Sequence, residues 1–174
     1  MRAVESRYSA EHHMASVNLI FDDEQTAYLR ELSEKMNLDF GEFIPHATLI
    51  NVTEQDIPRL KLAAAALPSL DKLVLDGVNF LPDEAGNCVC VELRVQKTSW
   101  MVEVRRKLLE ILDDIHPGLD IDGFRPHITL GIVEAGTLGD VDMSAIPRQL
   151  PVITKPRAAA CYNGMHGKVV EVVE

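Results

Sequence analysis

The sequence predicts an α+β fold of two similar lobes, in which two mainly antiparallel sheets surround a central cleft and helices lie outside. Two observations support this prediction. The order strand, helix, strand occurs twice along the chain, and in both copies the second strand begins with the motif Pro-His-x-Thr-Leu. The two histidines of this motif, His46 and His127, are 127 − 46 = 81 residues apart. A repeat of this length indicates an internal duplication.

The length of the chain favours one domain of this kind. With 174 residues it is long enough for a compact domain with a hydrophobic core and too short for two ordinary domains. We expect a polar N-terminal segment over residues 1–14, followed by a single two-lobed domain over residues 15–174. The two copies of the internal repeat would then cover about residues 15–82 and 87–174.

Capping residues and hydrophobic patterns define the predicted elements of the first copy. Asp22 is suited to cap a helix, because its side chain can accept a hydrogen bond from the first turn. Thr53 and Asp56 resemble a capping box that would open a second helix. The predicted elements are a strand over 16–21, a helix to about residue 36, a strand over 45–52, a helix to about residue 67 and a strand over 70–81.

The second copy repeats this order. Its helix carries one continuous apolar stripe, and its second strand is the counterpart of the first histidine strand. The tail of the chain has the pattern of a β-hairpin. The predicted elements are a strand over 87–95, a helix over 99–115, a strand over 126–133, a weak helical turn within 140–147, and hairpin strands over 157–162 and 168–173.

Composition and charge disfavour several classes of protein. The net charge is −10, whereas a broad grip on long nucleic acid depends on neutralising many phosphates. No apolar run approaches the roughly 20 residues needed to span a bilayer, and the N-terminus lacks the apolar core of a secretory signal. We therefore expect a cytoplasmic protein with no membrane partner, and we expect a monomer. The odd number of cysteines, three, fits reduced thiols rather than a disulfide framework.

The two motifs place chemically useful side chains on one face of each strand. Alternate residues of a strand share a face, so His46 and Thr48 point one way, as do His127 and Thr129. The residues between them are apolar and suit the core. If the lobes are related by an approximate two-fold axis, the two polar faces meet across the cleft.

This set of side chains suits phosphoester chemistry without a metal or a cofactor. An unperturbed imidazole titrates at about pH 6.5, so near neutrality one histidine can be neutral while its partner is protonated. The neutral ring can take a proton from water or a ribose hydroxyl, and the protonated ring can give one to the leaving oxygen. The hydroxyls of Thr48 and Thr129 can donate hydrogen bonds to the phosphoryl oxygens.

Other residues near the motifs are weaker candidates. Arg125 lies two residues before His127 and shares its strand face in an ideal pleat, so it either reaches a phosphate or forms a surface ion pair. Three aromatic side chains could stack against a base or belong to the core: Phe43, Phe124 and Tyr162.

The paired motifs resemble those of the two-histidine (2H) phosphoesterase superfamily, which includes 2′-5′ RNA ligase-like proteins and cyclic nucleotide phosphodiesterases. Its signature is a pair of His-x-Thr/Ser-hydrophobic motifs, one in each half of a duplicated α+β fold. The resemblance covers the chain from about Ser16 to the C-terminal hairpin. It implies that His46 and His127 are the catalytic acid and base and that Thr48 and Thr129 bind phosphate. It also implies a nucleotide or RNA-end substrate.

Several functions remain open at this point. The first is a phosphodiesterase acting on a 2′,3′-cyclic phosphate or a 2′-5′ linkage. Gly131 and Ile132 stand where RNA-processing members often carry a basic residue, so small cyclic nucleotides or cyclic oligonucleotides are alternative substrates. A binding module that kept the fold and lost turnover is a further possibility. A metallohydrolase is disfavoured by the spacing of histidines and cysteines.

Overall fold

The α+β class is confirmed. The computed structural model describes residues 15–39, 44–83, 85–115, 123–163 and 169–173, and the expected polar segment over residues 1–14 lies outside them. Within the described residues there are three α-helices, eight strands and two short 3₁₀ helices at Ala135–Asp140 and Met143–Ala145. The helices and strands are β1 (Ala15–Ile20), α1 (Asp23–Lys35), β2 (His46–Val52), α2 (Ile57–Ala65), β3 (Lys72–Pro82), β4 (Cys88–Val95), α3 (Ser99–Ile111), β5 (His127–Glu134), β6 (Val152–Thr154), β7 (Arg157–Asn163) and β8 (Val169–Val173).

The strands form one sheet, where two separate sheets were expected. Its order is β6-β3-β4-β5-β2-β1-β7-β8, and every recorded pairing is antiparallel. The two histidine strands, β2 and β5, are neighbours at its centre and pair at Ala47 and Ile128. The physical reason is that each would otherwise expose an unpaired edge of backbone N–H and C=O groups. We call the strands on either side of this junction the β2 side (β2, β1, β7, β8) and the β5 side (β5, β4, β3, β6).

The two sides do not follow the expected division of the chain near residues 82–87. β3 pairs with β4, and β7 pairs with β1, so the strand that ends the first copy lies on the β5 side. Thus β3 and β7 exchange sides relative to the expected division. Hydrophobic alternation predicts which face of a strand is buried but not which strand lies beside it, so the sequence did not show this exchange. The short strand β6, which pairs with the first residues of β3, was not predicted.

Side-chain caps set the starts of the helices. Asp22 caps α1 as predicted, since its carboxylate accepts a hydrogen bond from the backbone N–H of Gln25 at 2.8 Å. The predicted capping box at Thr53 is wrong. Asp56 caps α2 instead, and the Thr53 hydroxyl donates to the carbonyl of Ile115 at 3.0 Å. The Thr53 hydroxyl therefore binds the chain segment that follows α3 instead of capping α2.

Two of the three described helices, α1 and α3, pack across the junction onto the other side of the sheet. α1 contacts β5, and α3 contacts β2, while α2 covers β1 and β7. The core between the sheet and the helices contains the buried apolar residues of β2 and β5, including Leu49 and Leu130. We call this side of the sheet the helix face and the opposite side, which carries the two histidines, the histidine face.

Side chains from the crossed helices bind the backbone of the central strands at equivalent points. The hydroxyl of Ser33 in α1 donates to the carbonyl of Leu130 at 2.7 Å. The guanidinium of Arg105 in α3 donates to the carbonyl of Leu49 at 2.6 Å. Both leucines end a Pro-His-x-Thr-Leu motif, and both donors are buried. Hence the motif strands are held by helix side chains just beyond the point where they pair with each other.

Gly131 lies where the chain that leaves α1 passes over β5. A Cβ atom on Gly131 would come within 3.0 Å of the Leu38 Cβ and 3.3 Å of the Asp39 carbonyl oxygen. Both neighbours are close to the backbone and cannot swing away. The glycine after the second motif is therefore explained by packing.

We expect Gly131→Ala to lower the free energy of unfolding by about 1 kcal/mol. Overpacking costs about 1–3 kcal/mol, and the reduced entropy of the unfolded chain returns about 0.4–1 kcal/mol. Gly136→Ala is the matched control, because no atom lies within 4 Å of its Cβ position. Urea unfolding measures both variants. If Gly131→Ala were as stable as Gly136→Ala, the close approach of Leu38 would not constrain this position.

Candidate active site

The junction of β2 and β5 brings the two motifs together on the histidine face. Antiparallel pairing of Ala47 with Ile128 sets His46 opposite Thr129 and Thr48 opposite His127. These four side chains are partly exposed, while Ala47, Leu49, Ile128 and Leu130 are buried. The predicted alternation of the two strands is therefore present, and the two imidazoles and two hydroxyls form one contiguous patch.

Each histidine is oriented by the same local hydrogen bond. Nδ1 of His46 lies 2.7 Å from the carbonyl oxygen of Ile44, and Nδ1 of His127 lies 2.9 Å from that of Arg125. A carbonyl can only accept, so each Nδ1 carries a proton and donates it. This leaves Nε2 of both rings to exchange protons with a substrate. The proline between each pair keeps the preceding residue extended, which explains its place in the motif.

The surroundings of His46 are largely apolar. Ile20 is its neighbour across β1, and Ile20 forms a small hydrophobic cluster with Ala159 and Cys161. Burial lowers the pKa of His46 below the ordinary value of about 6.5; the hydrogen bond to Ile44 opposes this, and a charge on His127 would lower it further. Arg157, one strand beyond Ile20 and exposed, is the next charged residue along this row. His46 is therefore favoured in its neutral form.

The surroundings of His127 are charged. Arg94 of β4 is its cross-strand neighbour, and Glu92 is the neighbour of Thr129. The Glu92 carboxylate is buried, and its Oε2 lies 3.6 Å from Nε2 of His127. Arg125 donates to Glu92 at 2.7 Å, so the predicted phosphate-binding arginine forms an ion pair on this face. Asn79 of β3 also donates to Glu92, at 3.3 Å.

The sequence did not predict Glu92, Arg94 or Asn79 as site residues. Their signal was weak because β4 has a register shift between Val91 and Glu92, which breaks simple alternation along the strand. Gly77 also belongs to this region, since a Cβ atom on it would lie only 3.2 Å from Nη2 of the Arg94 guanidinium. Arg94 is in turn paired with Asp76 at 2.5 Å.

The structure does not bring two of the aromatic candidates to the histidine face. Phe124 packs against the helix-side core, with the buried Arg105 guanidinium 5.3 Å from the centre of its ring. Tyr162 is the cross-strand neighbour of Ala15 and packs against the same core. Phe43 lies outside the described residues.

The cysteines are free thiols. Cys90 is the only one with a recorded contact to a motif residue among those described, with its Sγ 3.9 Å from the hydroxyl of Thr129. Burial raises the pKa of Cys161 to about 11, so this thiol stays protonated. In the described ranges no three His, Cys, Asp or Glu side chains lie together as a metal site would require. None of the described helices is both long and apolar enough to cross a bilayer.

Comparisons with known proteins give structural similarity at low sequence identity. No protein-family model and no curated protein sequence matches the chain. A crystal structure of a phosphoesterase is 13% identical, with a TM-score of 0.48, over 87% of this chain and 88% of that one. Two structures of Kluyveromyces marxianus Usb1 are also similar, each over 78% of both chains. The one with uridine monophosphate is 11% identical with a TM-score of 0.43, and the other is 12% identical with a TM-score of 0.45.

The lowered pKa of His46 predicts how stability depends on pH. The unfolded chain takes up a proton at His46 near pH 6.5, before the folded protein does, so this residue costs stability as the pH falls below about 6.5. We expect His46→Gln to remove part of this loss. The free energy of unfolding of wild type should therefore fall relative to His46→Gln between pH 7.5 and pH 5.5, about one unit to either side of that value. Urea unfolding at the two pH values measures the difference.

Thr48→Ala is the control for this measurement, since Thr48 lies on the same face two residues away and does not titrate. Its difference from wild type should be the same at both pH values. Equal pH dependence in wild type and His46→Gln would show that His46 is not held neutral by burial.

Proposed function

We propose that this protein is a phosphodiesterase of the two-histidine type that hydrolyses a cyclic phosphate without a metal or a cofactor. Its substrate would be a 2′,3′-cyclic nucleotide, a cyclic phosphate at an RNA end, or a 2′-5′-type phosphodiester. The observation that supports this most is the pairing of the two motif strands at Ala47 and Ile128, with Nε2 of both histidines left for proton transfer. A patch of two imidazoles and two hydroxyls has few other chemical uses.

The proposed reaction places the phosphate over the junction between His46 and His127. A neutral ring takes a proton from the attacking water through Nε2, and the protonated ring gives one to the leaving oxygen. Thr48 and Thr129, one beside each histidine, donate hydrogen bonds to the non-bridging oxygens as their charge develops. Arg125 adds positive charge at the edge of this patch while its ion pair with Glu92 holds it in place.

Two features favour a small or terminal substrate over long RNA. The net charge of −10 gives no broad attraction for a polyanion. The two arginines near His127 are also paired, Arg94 with Asp76 and Arg125 with Glu92, which limits the positive charge beside that histidine. Small cyclic nucleotides and cyclic oligonucleotides are therefore included as alternative substrates. We further propose that the protein acts as a cytoplasmic monomer.

A substrate panel tests the proposal. It contains nucleoside 2′,3′-cyclic phosphates, 3′,5′-cyclic nucleotides, 2′-5′ dinucleotides, cyclic oligonucleotides and ADP-ribose 1″,2″-cyclic phosphate. Hydrolysis of at least one class, monitored by chromatography of the products, is expected. Binding of these compounds without turnover of any would favour the alternative of a non-catalytic nucleotide-binding module.

We expect His46→Ala and His127→Ala each to lower kcat by about 10²–10⁴-fold, which is the usual contribution of a positioned acid or base. Thr48→Ala and Thr129→Ala should cost less, about 10- to 100-fold, because each removes one hydrogen bond to a charged group. Steady-state kinetics on the best substrate of the panel measures all four. Near-normal turnover in either histidine variant, with circular dichroism showing a native fold, would contradict the proposed chemistry.

The proposed reaction should not depend on a metal ion. Activity is expected to survive dialysis against EDTA unchanged, because both proton transfers are assigned to side chains of the chain itself. Addition of zinc or manganese to the dialysed protein serves as the second arm. Loss of activity in EDTA, with recovery on adding either metal, would assign the protein to the metallohydrolases.

A further inference from the structure

We propose that Glu92 is a positioning residue that keeps the proton on His127, so that His127 is the general acid and His46 the general base. This inference rests on the proposed function and assigns the two roles that the motifs leave open. Both motifs have the same sequence pattern and the same Nδ1 hydrogen bond. Any difference between the two histidines must therefore come from their neighbours.

Glu92 is a buried residue whose position suits it to pair with a charge on His127. Its side chain is 1% exposed. Removing a carboxylate from water carries a large desolvation penalty, so a buried carboxylate is normally paired with a positive group. Arg125 and Asn79 hold it through donated hydrogen bonds at 2.7 and 3.3 Å. Its second oxygen, Oε2, accepts a longer hydrogen bond from Arg125 at 3.4 Å and lies 3.6 Å from Nε2 of His127, the ring nitrogen that the Arg125 carbonyl leaves available. A negative charge at this point stabilises an imidazolium.

The β2 side provides an internal comparison. The position equivalent to Glu92, the cross-strand neighbour of the other motif threonine, is Asn18, which is buried and neutral. The position equivalent to Arg94, the cross-strand neighbour of the other histidine, is Ile20. One histidine thus lies beside an amide and an alkyl group, and the other lies beside two charged groups.

The groups that face His127 come from three elements. Glu92 and Arg94 belong to β4, Arg125 precedes β5, and His46 belongs to β2. Arg94 is paired with Asp76, and Arg125 is paired with Glu92 itself. Glu92 is therefore the negative group that directly contacts the His127 ring among the described residues.

The roles fix the orientation of the reaction. Water attacks phosphorus as His46 Nε2 takes its proton, and the bond from phosphorus to the leaving ribose oxygen breaks as His127 Nε2 gives that oxygen a proton. The product is a phosphomonoester with a free hydroxyl on the His127 side. The enzyme ends with His46 protonated and His127 neutral, and exchange with solvent restores both.

The inference is tested with Glu92→Gln, which keeps the size of the side chain and removes its charge. In the pH profile of kcat, the alkaline limb reports loss of the proton from the acid. We expect that limb to move to lower pH by about one unit, which is a typical effect of one nearby charge. As a result, kcat at pH 8 should fall about tenfold, whereas kcat at pH 6 should change little. Glu134→Gln, an exposed carboxylate at the far end of β5, is the control and should leave the profile unchanged.

Two further measurements keep the test decisive. Arg125→Gln removes the positive partner of Glu92, so that the Glu92 charge acts on His127 alone. It should move the alkaline limb of the kcat profile to higher pH, the opposite of the shift expected for Glu92→Gln. NMR titration of the histidine rings, with His127→Ala identifying its signal, should show the His127 ring losing its proton at lower pH in Glu92→Gln. That readout needs no substrate.

The outcomes separate the inference from the proposed function. If the His127 titration shifts but no compound of the panel is hydrolysed, the pairing of Glu92 with His127 is supported and only the proposed function is overturned. An unmoved limb and an unmoved titration in folded Glu92→Gln overturn the inference, while continued hydrolysis by wild type keeps the proposed function.

Discussion

The junction between β2 and β5 is the constraint on which the rest of the structure depends. Ala47 and Ile128 are the pair recorded between these strands, and just beyond them the carbonyls of Leu49 and Leu130 bond to helix side chains instead. A buried carbonyl left without a partner costs about 1–3 kcal/mol, so Arg105 and Ser33 make this arrangement stable. Because the junction sets two histidine strands side by side, it also assembles the candidate active site from residues far apart in sequence.

The two sides of the sheet share a motif but not an environment. Around His46 the histidine face is covered by a small apolar cluster, whereas around His127 it carries two ion pairs. The two motifs supply two similar imidazoles, and only different neighbours can give them different protonation states at one pH. In this chain the difference lies one strand away from each motif, on β1 and β4.

Much of the fold and the core of the candidate site were predictable from the sequence. Local signals sufficed for the Asp22 cap, the strand bounds and the faces of His46 and His127, because these depend on residues close together in the chain. Pairing partners, the exchange of β3 and β7, and the place of Glu92 depend on register across the sheet. A strand pattern has no information on its neighbour, and the irregularity between Val91 and Glu92 hides which residues share the site's face.

The crossed packing of the helices has a consequence for how the chain is made. α1 ends at Lys35, but the strand that it covers begins at His127, which is 127 − 35 = 92 residues later. At roughly 5–20 residues per second, the ribosome needs about 5–20 s to synthesise that stretch. During this time α1 lacks its contact with β5, and β2 lacks its contact with α3. Apolar surface that stays exposed during synthesis is prone to aggregation, so the nascent chain is most exposed to this risk before the second motif is made.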